Sequence, residues 1–179
     1  MHRLHLLMRI LGISGSLSRT SANSRLLHRA VDATKAIDVF VWEALGELPF
    51  FSPDAEANDY VAELRQGLAN ADAVWIATPE YAGGMPGALK NALDWLVGSG
   101  ELYGKRVVVV SAAPSSQRGH NARRWVEEVV RMQGAEVVDS FTVAVPPGAD
   151  AALVDVAVEQ TVARVLQALG VTQHSGAHS

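Results

Sequence analysis

Short β-rich runs alternate with helical patterns along the chain, and this alternation constrains the fold more than any other feature of the sequence. Strands are predicted over residues 8–14, 38–44, 72–78, 105–113 and 135–146. Helices are predicted over residues 24–35, 60–71, 86–98, 120–134 and 150–170. Because crossovers between parallel strands return right-handed over the sheet, five such units predict an open α/β sheet with helices on both faces.

The apolar residues of these segments have the spacing that such a sheet requires. The third predicted strand, DAVWIAT, is apolar on both faces, which is typical of a strand covered by helices on both sides. The first two helices each carry an apolar face, formed by Leu26, Leu27, Ala30 and Val31 and then by Val61, Leu64 and Leu68. Leu93 and Trp95 are predicted core residues. The connection ELPFFSPDAEAND is too rich in proline to be regular throughout.

Length and composition predict one globular domain over residues 1–179, with 49% hydrophobic and 19% charged residues. Residues 1–7 are a possible N-terminal extension, because Met8 is a second candidate start, and residues 171–179 are expected to form a loose tail. The chain has no cysteine and no apolar run near the ~20 residues of a membrane helix. We therefore expect a cytoplasmic protein without disulfides or membrane contact.

Charge and histidine content narrow the function classes further. A net charge of −4 gives no electrostatic reason to expect nucleic-acid binding. No metal site is predicted among the six histidines, which are His2, His5, His28, His120, His174 and His178. For His120 we weigh a place in a substrate pocket against an exposed position at a helix start, and we favour the second.

In open parallel sheets, ligands bind beyond the carboxyl ends of the strands, where the strand order reverses. With the predicted strand order 2-1-3-4-5, the loops after strands one, three and four meet at that point. These loops read SGSLSRTSAN, PEYAGGMPG and APSSQRGHN. Each contains more polar and turn-forming residues than a connection requires, so we predict a ligand site there.

The first loop lacks the glycine patterns GxxxxGK[ST] and GxGxxG, so neither a nucleoside triphosphate nor a Rossmann-bound dinucleotide is expected. The following helix offers free N–H groups at its positive end, which suits a phosphate monoester. Side-chain donors are available from Ser16, Ser18, Arg19, Thr20, Ser21 and Asn23. Equally, Ser21 or Asn23 could only cap the helix, the rest being surface loop.

The second loop favours a flat ligand. It joins Pro79 and Tyr81 to two consecutive glycines, and Pro86 then starts a helix. Gly83 and Gly84 allow the backbone to approach a heteroaromatic ring closely, because no Cβ intervenes. The alternative is an ordinary tight turn.

The segments GSLSRTSAN and PEYAGGMPGALKNALDW resemble the NADPH-dependent FMN reductase family, and LPFFSPD matches the family's connection after strand two. The resemblance covers nearly the whole chain. It implies a flavodoxin-like three-layer α/β sandwich with a five-stranded parallel sheet of order 2-1-3-4-5. FMN is the implied cofactor and NADPH or NADH the reductant. A homodimer or homotetramer is also implied.

The family resemblance assigns FMN contacts residue by residue. They are Ser16, Ser18, Arg19, Ser21 and Asn23 for the phosphate, Pro79, Glu80, Tyr81, Ala82, Gly83 and Gly84 for the ring, and Ser111 at the flavin edge. The sequence departs from the family pattern in two places. The family commonly has arginine at the position of Ser18, whereas here Arg19 stands one position later. After the tyrosine, Ala82-Gly83-Gly84 replaces the family's Asn-Gly-Ser. In the third loop, Ser115, Ser116, Gln117 and Arg118 fit a solvated loop as well as a site.

The implied activity is passage of hydride from NAD(P)H through FMN to a quinone, an azo compound, free flavin or a metal oxyanion. The chain contains no convincing catalytic triad or carboxylate pair, which is expected when the cofactor carries the chemistry. No catalytic residue is predicted. Glu80 could be a catalytic acid, but its position favours ring contact or a structural ion pair. Two alternatives stay open: a flavodoxin-like electron carrier without enzyme activity, and a member that has lost flavin and serves as an interaction module.

Overall fold

The computed structural model describes residues 8–33 and 37–171. Strands β1 (Met8–Ser14), β2 (Ile37–Trp42), β3 (Ala73–Ala77), β4 (Arg106–Ala113) and β5 (Glu136–Ala144) form a parallel sheet of order β2-β1-β3-β4-β5. Helices α1 (Ala22–Ala33), α2 (Asp59–Asn70), α3 (Gly87–Asp94), α4 (His120–Met132) and α5 (Ala151–Ala168) connect and follow the strands. The predicted α/β class and strand order are confirmed.

Several bounds of the sequence-based prediction are wrong: β2 ends at Trp42 rather than at residue 44, and β5 ends at Ala144 rather than at residue 146. The regular part of α3 ends at Asp94 rather than at residue 98, because the chain continues in tighter turns, with Leu96 N–H donating to Leu93 O. A short 3₁₀ helix, Leu45–Glu47, was not predicted. The possible extension over residues 1–7 lies outside the described residues, as does the tail beyond residue 171.

Two hydrophobic clusters, one on each face of the sheet, form the core. One packs α2, α3 and α4 against the sheet, and the other packs α1 and α5 against the opposite face. β3 is buried along its whole length, and Leu93 and Trp95 are buried as predicted. Val31 is an exception: it lies in the last turn of α1, at the flank of the buried face, and is 42% exposed.

The strand ends are held in register beyond the sheet itself. Gly15 N–H donates to Ala77 O, and Thr78 N–H donates to Val110 O, both over 2.8 Å. The loops after β1, β3 and β4 are therefore side by side at the carboxyl edge. Within the described part of the chain, no helix combines the length and the apolar content needed to cross a membrane.

Candidate functional site

The three loops predicted to form the site meet at the carboxyl edge of the sheet. Ser16 Oγ in the first loop lies 3.5 Å from the Tyr81 hydroxyl in the second. The second and third loops line a common cleft of about 280 Å³, whose walls include Pro79, Glu80 and Arg118. The sheet topology thus places the loops next to each other although they are far apart in sequence.

The hydroxyls of the first loop bond mainly to one another. Ser16 N–H donates to Ser14 Oγ, and Ser18 N–H donates to Ser16 Oγ, each over 3.2 Å. The Ser18 hydroxyl pairs with Thr20 at 3.1 Å. Ser24 was not predicted; its hydroxyl contacts Ser14 Oγ at 2.8 Å and donates to Ser18 O. These bonds fix the course of the loop.

Ser21 caps α1. Its Oγ accepts the Ser24 N–H over 3.1 Å, the usual contact of an N-cap side chain with the third helical residue. Two serines three positions apart, Ser21 and Ser24, are the sequence signal from which Ser24 could have been predicted. The alternative in which Ser21 caps the helix therefore describes its side chain, and any phosphate contact from Ser21 stays a prediction.

Asn23 joins the first loop to β4. Its side-chain carbonyl accepts the Ala112 N–H over 2.8 Å, and its amide donates to Ala112 O over 3.2 Å. The Asn23 side chain is buried. Both of its polar atoms thus serve a backbone group 89 residues away, and a phosphate contact from this amide stays a prediction.

Backbone N–H groups are the free donors of the first loop. Among the hydrogen bonds of residues 8–33 and 37–171, the N–H groups of Arg19, Thr20, Ala22 and Asn23 have no acceptor. Two of them open α1, where unpaired N–H groups and the helix dipole favour an anion. Sequence reasoning named the N–H groups at the start of α1, and the structure adds those of Arg19 and Thr20.

Arg19 extends toward the β2 side of the loop. Its guanidinium lies 3.8 Å from a Glu43 carboxylate oxygen, and His28 Nε2 lies 3.1 Å from the other oxygen. The Arg19 side chain is 79% exposed, so this pair contributes little to stability. The structure places Arg19 with Glu43, and a contact between Arg19 and a phosphate would require the side chain to rotate.

The second loop contains a tight two-residue turn. Tyr81 and Gly84 exchange two backbone hydrogen bonds of 3.0 Å, and the residues between them have positive φ, +49° at Ala82 and +77° at Gly83. This is the pattern of a type I′ turn, which favours Asn-Gly. The N–H groups of Ala82 and Gly83 have no acceptor among the described hydrogen bonds, so they can donate to a ligand.

Glu80 caps α4 from the second loop. Its carboxylate accepts the N–H groups of Asn121 and Ala122 over 3.0 and 3.3 Å. The N-cap residue itself is Gly119, which has no side chain to do this; a Cβ there would lie 2.5 Å from Ser111 Cβ. The structure thus assigns Glu80 a capping contact, rather than the ion pair considered from the sequence.

Trp125 was missed by sequence reasoning. A Cβ built on Gly84 would lie 2.6 Å from Trp125 Cζ3, so the indole occupies the space beside this glycine. Gly84 is consequently required by a neighbour on α4. A tryptophan in a helix gives no sequence signal of this contact, because the partner is 41 positions away.

Ser111 ties the third loop to its surroundings. Its fully buried hydroxyl donates to Thr78 O over 2.7 Å and contacts Gly119 O at 3.3 Å. Ser111 also lines the cleft, so its flavin-edge contact stays a prediction. His120 is exposed at the start of α4, the position that the sequence favoured.

One positive charge lies behind the third loop. Arg123 donates to Ser140 Oγ over 2.7 Å and to Thr142 Oγ1 over 3.2 Å. Burial lowers the pKa of Arg123, and Glu127 opposes that shift. An arginine stays protonated at neutral pH even so. Within residues 8–33 and 37–171, no three His, Asp or Glu side chains are grouped so that they could hold a metal ion.

The strand order and the three adjacent loops define a flavodoxin-like α/β protein with a candidate ligand site at the carboxyl edge of its sheet. The sequence model of the NADPH-dependent FMN reductases matches residues 8–150. The chain therefore belongs to the NADPH-dependent FMN reductase family. Membership implies FMN as cofactor and NAD(P)H as reductant.

Individual relatives agree with this assignment. The chain is 38% identical over 90 residues to a 2-hydroxy-1,4-benzoquinone reductase of Burkholderia sp, covering 49% of each protein. It is 36% identical over 91 residues to an NAD(P)H-dependent FMN reductase of Pseudomonas aeruginosa, again covering 49% of each. The chain thus spans about half the length of these curated relatives.

A solved structure supports the fold. The flavoenzyme NAD(P)H:(acceptor) oxidoreductase FerB from Paracoccus denitrificans superimposes with a TM-score of 0.70, over 91% of this chain and 93% of that one. The two sequences are 24% identical. This likeness concerns the fold alone.

The donor set fits FMN. A phosphate is matched by the unpaired N–H groups at the start of α1, and the edge of a flat ring by the unpaired N–H groups of Ala82 and Gly83. A Cβ on Gly83 would meet no atom within 4 Å, so the turn is open on that side. Both ends of the cofactor therefore find donors of the required kind.

Proposed function

We propose that this protein is an FMN-dependent NAD(P)H oxidoreductase that reduces a quinone. The observation that supports the proposal most is the pair of unpaired backbone donor sets, one at α1 and one in the second loop, in a chain of this family. A quinone is the preferred acceptor because a relative that shares 38% identity is named a 2-hydroxy-1,4-benzoquinone reductase.

The residues of the chain contribute position and electrostatics. The N–H groups of Arg19, Thr20, Ala22 and Asn23, with the α1 dipole, hold the phosphate. Ala82 and Gly83 donate to the ring edge. The redox chemistry, with hydride received from NAD(P)H and electrons delivered to the acceptor, would be supplied by FMN when it is bound. Donors next to the ring favour the more negative reduced form, so the second loop adjusts the reduction potential. We assign no side chain as a general acid or base.

One experiment distinguishes the enzyme from an electron carrier and from an interaction module without flavin. FMN is added to the purified protein, the visible spectrum is recorded, and NADPH or NADH is then added under anaerobic conditions. Uptake, bleaching, and recovery of the colour on addition of a benzoquinone support the proposal. Uptake without bleaching favours the electron carrier. No uptake overturns both and favours the interaction module. Recovery only with an azo dye, free flavin or chromate would change the assigned acceptor.

Ser21→Asp tests the phosphate assignment. Aspartate is as good an N-cap as serine, so the stability of the protein should be preserved. The new carboxylate would stand beside the N–H groups assigned to the phosphate, and the repulsion should weaken FMN binding about tenfold or more. Riboflavin has no phosphate, so its affinity should be unaffected. Both affinities are measured by flavin fluorescence titration.

Asn58→Asp is the matched control. Asn58 caps α2 by accepting the Val61 N–H over 3.0 Å, in the same way that Ser21 caps α1; its amide also donates to Glu47 O over 3.1 Å, and neither bond is made to the three loops. The control should leave both affinities unchanged. If Ser21→Asp binds FMN as tightly as the unmodified protein does, the first loop does not hold the phosphate.

We also propose a homodimer or homotetramer. Large exposed apolar side chains occur on and around α3 and α4, and they are Phe50, Val97, Tyr103, Trp125 and Met132. Exposed apolar surface of this kind favours protein contacts. Light scattering behind size-exclusion chromatography gives the mass directly, and a monomer at working concentration would contradict the proposal. The cytoplasmic location stays a prediction from the cysteine-free composition.

A further inference from the structure

Helix α4 holds the second loop at two points. At the start of the loop, the Glu80 carboxylate accepts two N–H groups of the first turn of α4. At the end of the loop, Gly84 lies against the indole of Trp125 in the second turn. The Ala82–Gly83 turn, which has the unpaired N–H groups, lies between these two points. Its orientation is therefore set by α4.

The contact at Gly84 is tight and specific to a glycine. A Cβ on Gly84 would lie 2.6 to 2.9 Å from three carbons of the six-membered indole ring, namely Cζ3, Cε3 and Cη2. Real Cβ atoms do not approach other atoms this closely, so no larger residue fits while the indole stays in place. The backbone conformation at Gly84 itself is ordinary, so glycine is needed here for space only.

The exposure of Trp125 also sets it apart from the other tryptophans. Trp42, Trp75 and Trp95 are 0–3% exposed, whereas Trp125 is 46% exposed. Trp125 lies one position before Val126, which is on the buried face of α4, so it flanks the core and does not fill it. Part of its indole lies against Gly84 of the second loop.

We infer that Trp125 is a positioning residue for the flavin ring, acting through Gly84 on the N–H groups of the Ala82–Gly83 turn. This inference rests on the proposed function. Loss of the contact frees the turn, and the bound state must then order it again, which weakens FMN binding. Because the affected donors face the ring, the affinity for riboflavin falls as much as the affinity for FMN. A change in the first loop would instead lower the affinity for FMN only.

The test uses Trp125→Ala, Trp125→Phe, Gly84→Ala and the double variant of Gly84→Ala with Trp125→Ala. Flavin affinity, thermal unfolding and the midpoint potential of bound FMN are measured for each. We expect Trp125→Ala and Gly84→Ala each to lower the affinity for FMN and for riboflavin about threefold to tenfold. Each should also shift the midpoint potential of bound FMN. Trp125→Phe retains an aromatic ring but has no counterpart of Cζ3 and Cη2, so an intermediate weakening is expected.

The double variant tests the contact itself. With the indole absent, the added methyl group of Gly84→Ala meets no obstacle, so the double variant should match Trp125→Ala in affinity and in melting temperature. Leu153→Ala is the control, since Leu153 is an exposed apolar residue on α5, which packs on the opposite face of the sheet. It should change none of the three quantities.

The outcomes separate this inference from the proposed function. If the unmodified protein binds no FMN, both are overturned. If it binds FMN while Trp125→Ala and Gly84→Ala bind both flavins as tightly and at the same potential, this inference alone is overturned. The inference is also overturned if adding Gly84→Ala to Trp125→Ala lowers the flavin affinity as much as Gly84→Ala does in the unmodified protein. If Trp125→Ala does not fold, Gly84→Ala decides, because it breaks the same contact from the loop side.

Discussion

The first and second loops of the site are held in different ways. The first loop is fixed mainly by bonds among its own hydroxyls, with Ser24 at the centre, and one side chain, Asn23, connects it to β4. The second loop has its turn closed by backbone bonds, and contacts with α4 orient it. Local changes should therefore disturb the first loop, whereas changes on a distant helix should disturb the second.

Asn23→Ala removes the long-range connection of the first loop and should have the largest effect on stability. Two buried hydrogen bonds are lost, and the N–H and C=O of Ala112 are left without these partners. We expect the free energy of unfolding to fall by about 2–3 kcal/mol, measured by urea denaturation.

Asn70→Ala is the control for Asn23→Ala, because Asn70 is an exposed asparagine on α2 bonded to the Gln66 side chain. Its effect should stay within about 0.5 kcal/mol. An Asn23→Ala protein as stable as this control would mean that the first loop needs no support from β4.

Glu80→Ala removes the α4 cap and should come next in size. The N–H groups of Asn121 and Ala122 lose their acceptor, and the helix start loses a favourable negative charge. The free energy of unfolding should fall by about 1–2 kcal/mol. Glu80→Gln keeps an acceptor but not the charge, so an intermediate loss is expected. No loss in Glu80→Gln would contradict a role for the charge, and no loss in Glu80→Ala would contradict the cap itself.

Ala82→Asn should have the smallest effect, and it should be stabilising. Ala82 is a non-glycine residue with positive φ, +49°, a conformation that asparagine tolerates better than alanine. We expect a gain of about 0.5 kcal/mol, measured as a higher melting temperature. Ala57→Asn, in an exposed loop without positive φ, should give no gain. A loss at position 82 would show that the turn is not of type I′.

The elements of the fold were largely readable from the chain. Apolar runs bounded by turn residues mark the strands, and the β3 pattern indicated burial on both faces. The position of the site followed from the strand order. Val31 shows the limit, because its spacing fits the apolar face but it lies at the flank of that face and is 42% exposed, whereas its neighbour Ala30 is buried.

The site residues were predicted as a group, but most individual roles were not. Ser21 as a cap was among the alternatives, since capping is a local interaction between neighbours in sequence. The partners of Asn23 and Glu80 lie 89 and 41 positions away, so no local pattern contains them. Trp125 was missed for the same reason.

The amino-acid sequence by itself determined the alternation of strands and helices, the three polar loops and the family resemblance, because each depends on spacing along the chain. Only the tertiary structure decided which donors are free. A side chain such as Asn23 or Glu80 binds whichever group the fold brings nearest, and in both cases that group is a backbone amide of another element. The donors left for a ligand include the backbone N–H groups of Arg19, Thr20 and the start of α1, and those of the Ala82–Gly83 turn.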